Sequence, residues 1–214
     1  GPAGSGPIES YYLTETWGDF DSICRKDIRY EDTIPFRENI RIGVEKLASD
    51  DRNFLFLTEK QQVVGLLTVA NLNCRAVRVS LYGLTAEVEM SLAKVVEDGL
   101  ENDKLAENDV LEQMRDHLEK NYKQAVDNGV DESITEYLYL SDLKTIISRH
   151  DLYGAIGYSR QRNFKSDFES VKKLRNTIAH PVCRLKGSEG TPSSLWKDIQ
   201  ICERVFFHFY NSRN

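Results

Sequence analysis

Apolar residues recur in two rhythms along this chain, and the change from one to the other falls near Leu72. Ahead of it, short extended runs alternate with one helix. Residues 27–35 hold an extended piece closed by the turn signal Asp32-Thr33-Ile34-Pro35. Over 38–49, Ile40, Val44 and Leu47 share a face, which predicts a helix broken by Asp50-Asp51-Arg52-Asn53. Phe54-Leu55-Phe56-Leu57 predicts a buried strand, 58–61 a polar turn and 63–68 a second strand. From Asn73 onward the step becomes three and four. Val77, Leu81, Leu84, Val88, Leu92 and Val95 predict a long amphipathic helix over 73–98. Further helices are predicted over 106–127 (Val110, Leu111, Met114, Leu118, Tyr122), stopped by Asn128-Gly129, and over 133–150 (Ile134, Leu138, Leu143, Ile146, Ile147). After a loop with Gly154 and Gly157 come helices over 163–179 (Phe164, Phe168, Val171, Leu174, Ile178) and 193–210, with a flexible loop at 187–192 between them. The expected fold class is α+β: a small α/β module over 11–72, then an all-α helical bundle over 73–214.

The opening Gly1-Pro2-Ala3-Gly4-Ser5-Gly6-Pro7 lacks a Met and reads as the remnant of an expression tag, so residues 1–10 are expected to lie outside the fold. With 40% hydrophobic and 29% charged residues in 214, the composition is that of a globular protein with a sizeable core. No apolar run approaches the roughly 20 residues that span a bilayer, and no signal-peptide pattern is present, so no membrane partner is expected. Cys24, Cys74, Cys183 and Cys202 are scattered, as are His117, His150, His180 and His208. Neither set has the spacing of a disulfide framework or a zinc site, so the expectation is a reducing, cytoplasmic setting and no metal.

A net charge of −6 excludes a surface basic all over. Between Ser159 and Lys186, however, eight basic residues (Arg160, Arg162, Lys165, Lys172, Lys173, Arg175, Arg184, Lys186) stand against two acidic ones, Asp167 and Glu169. Such a stretch is either a solvated helix face or a site for a phosphate backbone.

Within that stretch lies Arg175-Asn176-Thr177-Ile178-Ala179-His180-Pro181. Residues five apart are turned by about 140° on a helix, but Pro181 disfavours helical backbone at His180. The helix must end there, leaving His180 able to swing into a cleft while Arg175 stays on the last turn. Imidazole moves protons near neutral pH and guanidinium stabilises phosphate oxygens, a pairing suited to phosphodiester chemistry. The plainer reading has Arg175 capping helix carbonyls and His180 packed in an interface.

Leu174-Arg175-Asn176-Thr177-Ile178-Ala179-His180-Pro181 resembles the R-x(4–6)-H signature of the HEPN superfamily, across residues 73–214. The resemblance implies a metal-independent endoribonuclease acting as a homodimer, with Arg175 and His180 as the catalytic pair and Asn176 orienting His180 or the phosphate. Lys172, Lys173 and Arg184 would hold RNA; Glu87 and Glu89 are candidates for supporting contacts, and Tyr137 or Tyr139 for base stacking. No cofactor is needed, because RNA brings its own 2′-hydroxyl nucleophile.

The segment Val63-Val64-Gly65-Leu66-Leu67-Thr68-Val69-Ala70-Asn71-Leu72, with the helix and strand before it, resembles one CBS motif. That resemblance implies an adenine nucleotide as regulator, with Thr68 on its phosphate and Asn71 on its ribose, although the family has Asp at the second position. CBS motifs work in pairs, so a second copy comes either from a dimer partner or from a repeat of which 11–23 is a remnant. For Gly65 and Thr68 the alternative is a plain hairpin strand with a close-packed glycine. The expected function is therefore a ligand-regulated ribonuclease. Its rival is a non-catalytic helical dimerisation module with a nucleotide-sensing front.

Overall fold

The computed structural model describes residues 9–13, 24–49, 52–180, 183–185 and 191–211. A two-stranded antiparallel sheet opens it, β1 (Ser10–Leu13) against β2 (Cys24–Asp27). Ser10 is thus part of a strand, and the Glu9 carbonyl accepts a hydrogen bond from the Ile28 amide, so these two residues, expected to lie outside the fold, belong to it. Residues 1–8, and 14–23 of the supposed repeat remnant, lie outside the described residues.

A three-stranded sheet follows, in the order β3 (Thr33–Pro35), β4 (Phe54–Glu59), β5 (Gln62–Thr68). β3 and β4 are parallel and joined through helix α1 (Ile40–Ser49), while β4 and β5 form an antiparallel hairpin. Gly43, Val44 and Leu47 bury the inner face of α1. On the sheet's other side, Tyr11 lies 5.6 Å from the Phe54 ring and 5.1 Å from Phe56, which brings the β1–β2 pair onto it. Gly65 is paired with Leu57, and a Cβ there would stand 3.3 Å from Leu57 Cδ1, so the glycine is closely packed in this hairpin.

The hairpin turn is Lys60-Gln61, with φ of 49° and 65°. Two consecutive left-handed residues suit Asn-Gly, whereas each L residue with a Cβ is strained there. Replacing the pair by Lys60→Asn and Gln61→Gly is expected to add about 1 kcal/mol of stability, or roughly 2–4 °C in Tm, by thermal melting. A lowered Tm would show that the lysine and glutamine side chains contribute more than the turn geometry costs.

Beyond a 3₁₀ turn (Val69–Asn73) the described structure is helical. α2 (Arg75–Glu101) spans 27 residues, and Val77, Leu81, Val88, Leu92 and Val95 form its buried stripe. The long helix predicted over 106–127 is instead two, α3 (Glu107–Leu111) and α4 (Asp116–Asp127). Val110 and Met114 are drawn into the core, whereas α4 has no buried residue and rests at its Tyr122 on Tyr137, 5.5 Å ring to ring. One straight helix could not serve both contacts, so the chain turns extended at Arg115. Asn128-Gly129 stops α4 as expected: Gly129 has φ of 72°, and the Gly129 and Val130 amides donate to Val126 and Ala125.

The helix predicted over 133–150 is also divided, into a 3₁₀ turn (Ile134–Tyr137) and α5 (Leu140–Arg149). Tyr139 is the extended N-cap between them, and Asp142 Oδ2 accepts from its amide at 3.0 Å. After a 3₁₀ turn at Leu152–Ile156 come α6 (Gln161–Ala179) and α7 (Pro192–Asn211), close to their expected bounds. Of the loop expected at 187–192, residues 187–190 lie outside the described residues; Pro192 itself opens α7, in the first helical position where its missing N–H costs nothing.

α5, α6 and α7 all pack against α2, and α7 also packs on α1. α1 and α7 run antiparallel: Ser193 Oγ donates to the Ala48 carbonyl at one end, and Arg41 pairs with Glu203 at the other. One apolar cluster runs from Ile34, Val44, Leu47 and Leu55 through to Leu195, Ile199 and Val205. The architecture is α+β, a small sheet region followed by helices, with the core continuous across Leu72. No helix among the described residues is long and apolar enough to cross a membrane.

Candidate functional site at the end of helix α6

The stripe Phe164, Phe168, Val171, Leu174 and Ile178 seats α6 in the core and turns its other residues outward. Lys172, Lys173 and Asn176 are exposed on that outer side, and Arg175 is half-buried. The helix ends where the sequence requires. His180 is its C-cap, with extended backbone (φ −104°, ψ 93°), and its amide still donates to the Asn176 carbonyl at 3.1 Å. Its carbonyl accepts from the Cys183 amide at 2.9 Å. The imidazole is exposed.

The end of α6 is fastened by a residue the sequence did not single out. Arg78, on the second turn of α2, donates through Nη1 to the Thr177 carbonyl at 2.9 Å and through Nη2 to the Cys183 carbonyl. It therefore straddles His180. Nearby, Asn73 Oδ1 accepts from the Leu185 amide at 2.6 Å. A guanidinium on free helix carbonyls satisfies them and complements the negative end of the helix dipole. The capping role considered for Arg175 is thus filled by Arg78. Arg78→Ala is expected to lower stability by about 1–3 kcal/mol by stranding those carbonyls. Urea unfolding reads this; an unchanged midpoint would mean that water replaces the clamp.

Two clefts meet at this end. A cleft of about 440 Å³ is lined by Glu169, Lys172, Lys173, Asn176, Thr177, His180 and Cys183. Beside it, one of about 350 Å³ contains Arg115, Tyr139, Ser141, Lys172, Arg175 and Asn176. Lys172 and Asn176 belong to both, forming the wall between them. The structure therefore brings Arg175, Asn176, His180, Lys172 and Lys173 to one helix end, but Arg175 and His180 line different clefts, with Asn176 in both. The connection from Asn176 to His180 is the backbone bond already described. Glu169 is held by Lys144 at 2.8 Å, and this hydrogen bond, outweighing partial burial, keeps its carboxyl below the ordinary glutamate range.

The other candidates lie elsewhere. Arg184 lines a separate cleft of about 480 Å³ with Ala70, Asn73, Leu185 and Pro192. Glu87 and Glu89 line another cleft, about 680 Å³, between α2, α5 and α7, which contains neither Arg175 nor His180. In that cleft Glu97 is half-buried, which by itself raises its pKa. Hydrogen bonds from Lys94, Thr135 and Ser133 outweigh this and hold it low. Tyr137 donates to Glu132, a bond that, with burial, pushes its phenol up to about 12, so it serves the α4 contact. Tyr139, in contrast, is exposed beside Arg175. Thr68 and Asn71 bond to each other: Asn71 Oδ1 accepts from the Thr68 amide at 2.8 Å and from its hydroxyl at 2.7 Å, a box that opens the 3₁₀ turn. Among the described residues, no three His, Cys, Asp or Glu side chains are grouped to hold a metal ion.

Set beside known families, curated proteins and solved structures, the chain matches none of them.

Proposed function

We propose that the helical part is a metal-independent endoribonuclease of HEPN type that works as a homodimer in the cytoplasm. One observation carries this reading: α6 ends with His180 exposed over a cleft flanked by Lys172 and Lys173, with the Arg175 cleft directly across Asn176. Two copies facing each other along this end would place the imidazole of one and the guanidinium of the other in a single composite cleft.

There the RNA's 2′-hydroxyl attacks the adjacent phosphorus and the 5′-oxygen leaves. The 2′ proton passes to a base and the departing oxygen gains one, so the products are a 2′,3′-cyclic phosphate and a 5′-hydroxyl. His180 is the proton-transfer group and Arg175 the cation on the non-bridging oxygens. Asn176 and the two lysines hold the strand, and Arg184 is placed to meet RNA only if it extends toward the 3₁₀ turn.

The front module is the regulatory half of the proposal. An adenine nucleotide at Thr68 and Asn71 would replace the bond these side chains make with each other. The test is incubation of a mixed RNA pool with the protein in EDTA, with and without AMP or ATP. Fragments with cyclic phosphate ends support the reading. Intact RNA from a folded dimer, with or without nucleotide, would transfer it to the non-catalytic dimerisation module.

A further inference from the structure

The cleft on the Arg175 side is built from the two places where the sequence pattern predicts continuous helix and the chain departs from it. Arg115 is the extended residue before α4, and Tyr139 the extended residue before α5. Both lost helical turns end at the same point. The Arg115 guanidinium lies 4.6 Å from the centre of the Tyr139 ring. Lys172 and Arg175 reach the cleft from α6, and Ser141 from the first turn of α5.

The charge balance of this cleft is one-sided. Three cations line it and no carboxylate does. Asp142 is buried and occupied with the Tyr139 amide, while Glu169, on the flank, bonds Lys144 and stands 3.8 Å from Lys172. Among the described residues neither Arg115 nor Arg175 is ion-paired. An arginine steadied by a carboxylate is neutralised by it; one steadied on an aromatic face keeps its charge and its five donors. Three like charges brought together repel, and an anion relieves that repulsion. A volume of about 350 Å³ lies at the small end of the range for ligand sites, roughly 300–1,000 Å³.

We infer that this cleft is a phosphate subsite for single-stranded RNA. Arg115, held over the Tyr139 ring, grips a phosphodiester next to the one that His180 and Arg175 act on. The inference rests on the ribonuclease reading above, because the shared wall of Lys172 and Asn176 carries a strand from one cleft to the other. It adds a second grip that fixes register, drawn from α4 and α5 rather than from α6.

The test uses the full chain carrying His180→Ala, so that RNA is bound and not consumed. A fluorescent single-stranded RNA of about a dozen nucleotides is titrated across a series of salt concentrations. Adding Arg115→Ala is expected to weaken binding about tenfold and to reduce the slope of log K against log salt by about 0.7, the value for one phosphate contact on a single strand. Arg115→Lys restores the slope but only part of the affinity, since a lysine lacks the fork. Unaltered affinity and slope in Arg115→Ala, with RNA still bound, overturn the subsite and leave the ribonuclease reading standing. Failure of the His180→Ala chain itself to bind RNA at any salt overturns that reading and with it the strand assignment. AMP and inorganic pyrophosphate are titrated in parallel: binding of either that depends on Arg115, without RNA binding, reassigns the cleft to a free phosphate ligand.

Discussion

If the proposed ribonuclease reading is right, His180→Ala is expected to leave RNA uncut, while the melting temperature stays within about 2 °C. The two halves of this result have separate causes. Positioned proton transfer contributes roughly 10²–10⁴-fold to a rate, and among the described residues no other histidine lines either cleft, so the loss falls in that range or below detection. The fold does not depend on the imidazole. It is exposed, and what ends α6 is backbone: the His180 amide to the Asn176 carbonyl, with Arg78 on the neighbouring carbonyls. Alanine keeps all of these. Cleavage in EDTA that persists in the variant would remove His180 from the chemistry, whatever happens to Arg175.

Leu47→Ala, although it lies in the front module, destabilises the helical part as well. Leu47 is fully buried and belongs to the same apolar cluster as Leu195 and Ile199 of α7. Truncating a buried leucine removes its transfer free energy and leaves a void, together about 2–5 kcal/mol. The α1–α7 contact is tied at both ends, so the cost is expected in one cooperative transition. Urea unfolding followed by circular dichroism, with hydrogen exchange of α6 amides, measures this. A separate early transition, with α6 protection intact, would show the sheet region melting by itself.

Much of this architecture was legible because it is local. α6 and α7 each follow from a stripe of apolar residues, and the end of α6 from Pro181. Arg175, Asn176, His180, Lys172 and Lys173 sit on one short stretch, so they could be found together. The breaks at Arg115 and Tyr139 were not legible, since the stripe runs on through them: Met114 and Leu118 keep helical spacing, as do Ile134 and Leu138. Asp142, three residues after Tyr139, is a capping signal, but a weak one in a sequence rich in acids. Arg78 carried no signal at all. Its partners are carbonyls, present in every residue, and only the assembled fold selects Thr177 and Cys183 from among them.

The fastening of the α6 end has a consequence for biosynthesis. Arg78 and Asn73 reach partners 99 to 112 positions further along the chain. Contacts of such separation close late, because the intervening chain must be ordered first. As the polypeptide leaves the ribosome, α2 emerges long before the segment that carries His180. The clamp therefore cannot close until the chain up to Leu185 is out. The end of α6, with His180 on it, therefore takes its final position only when synthesis of this region is finished.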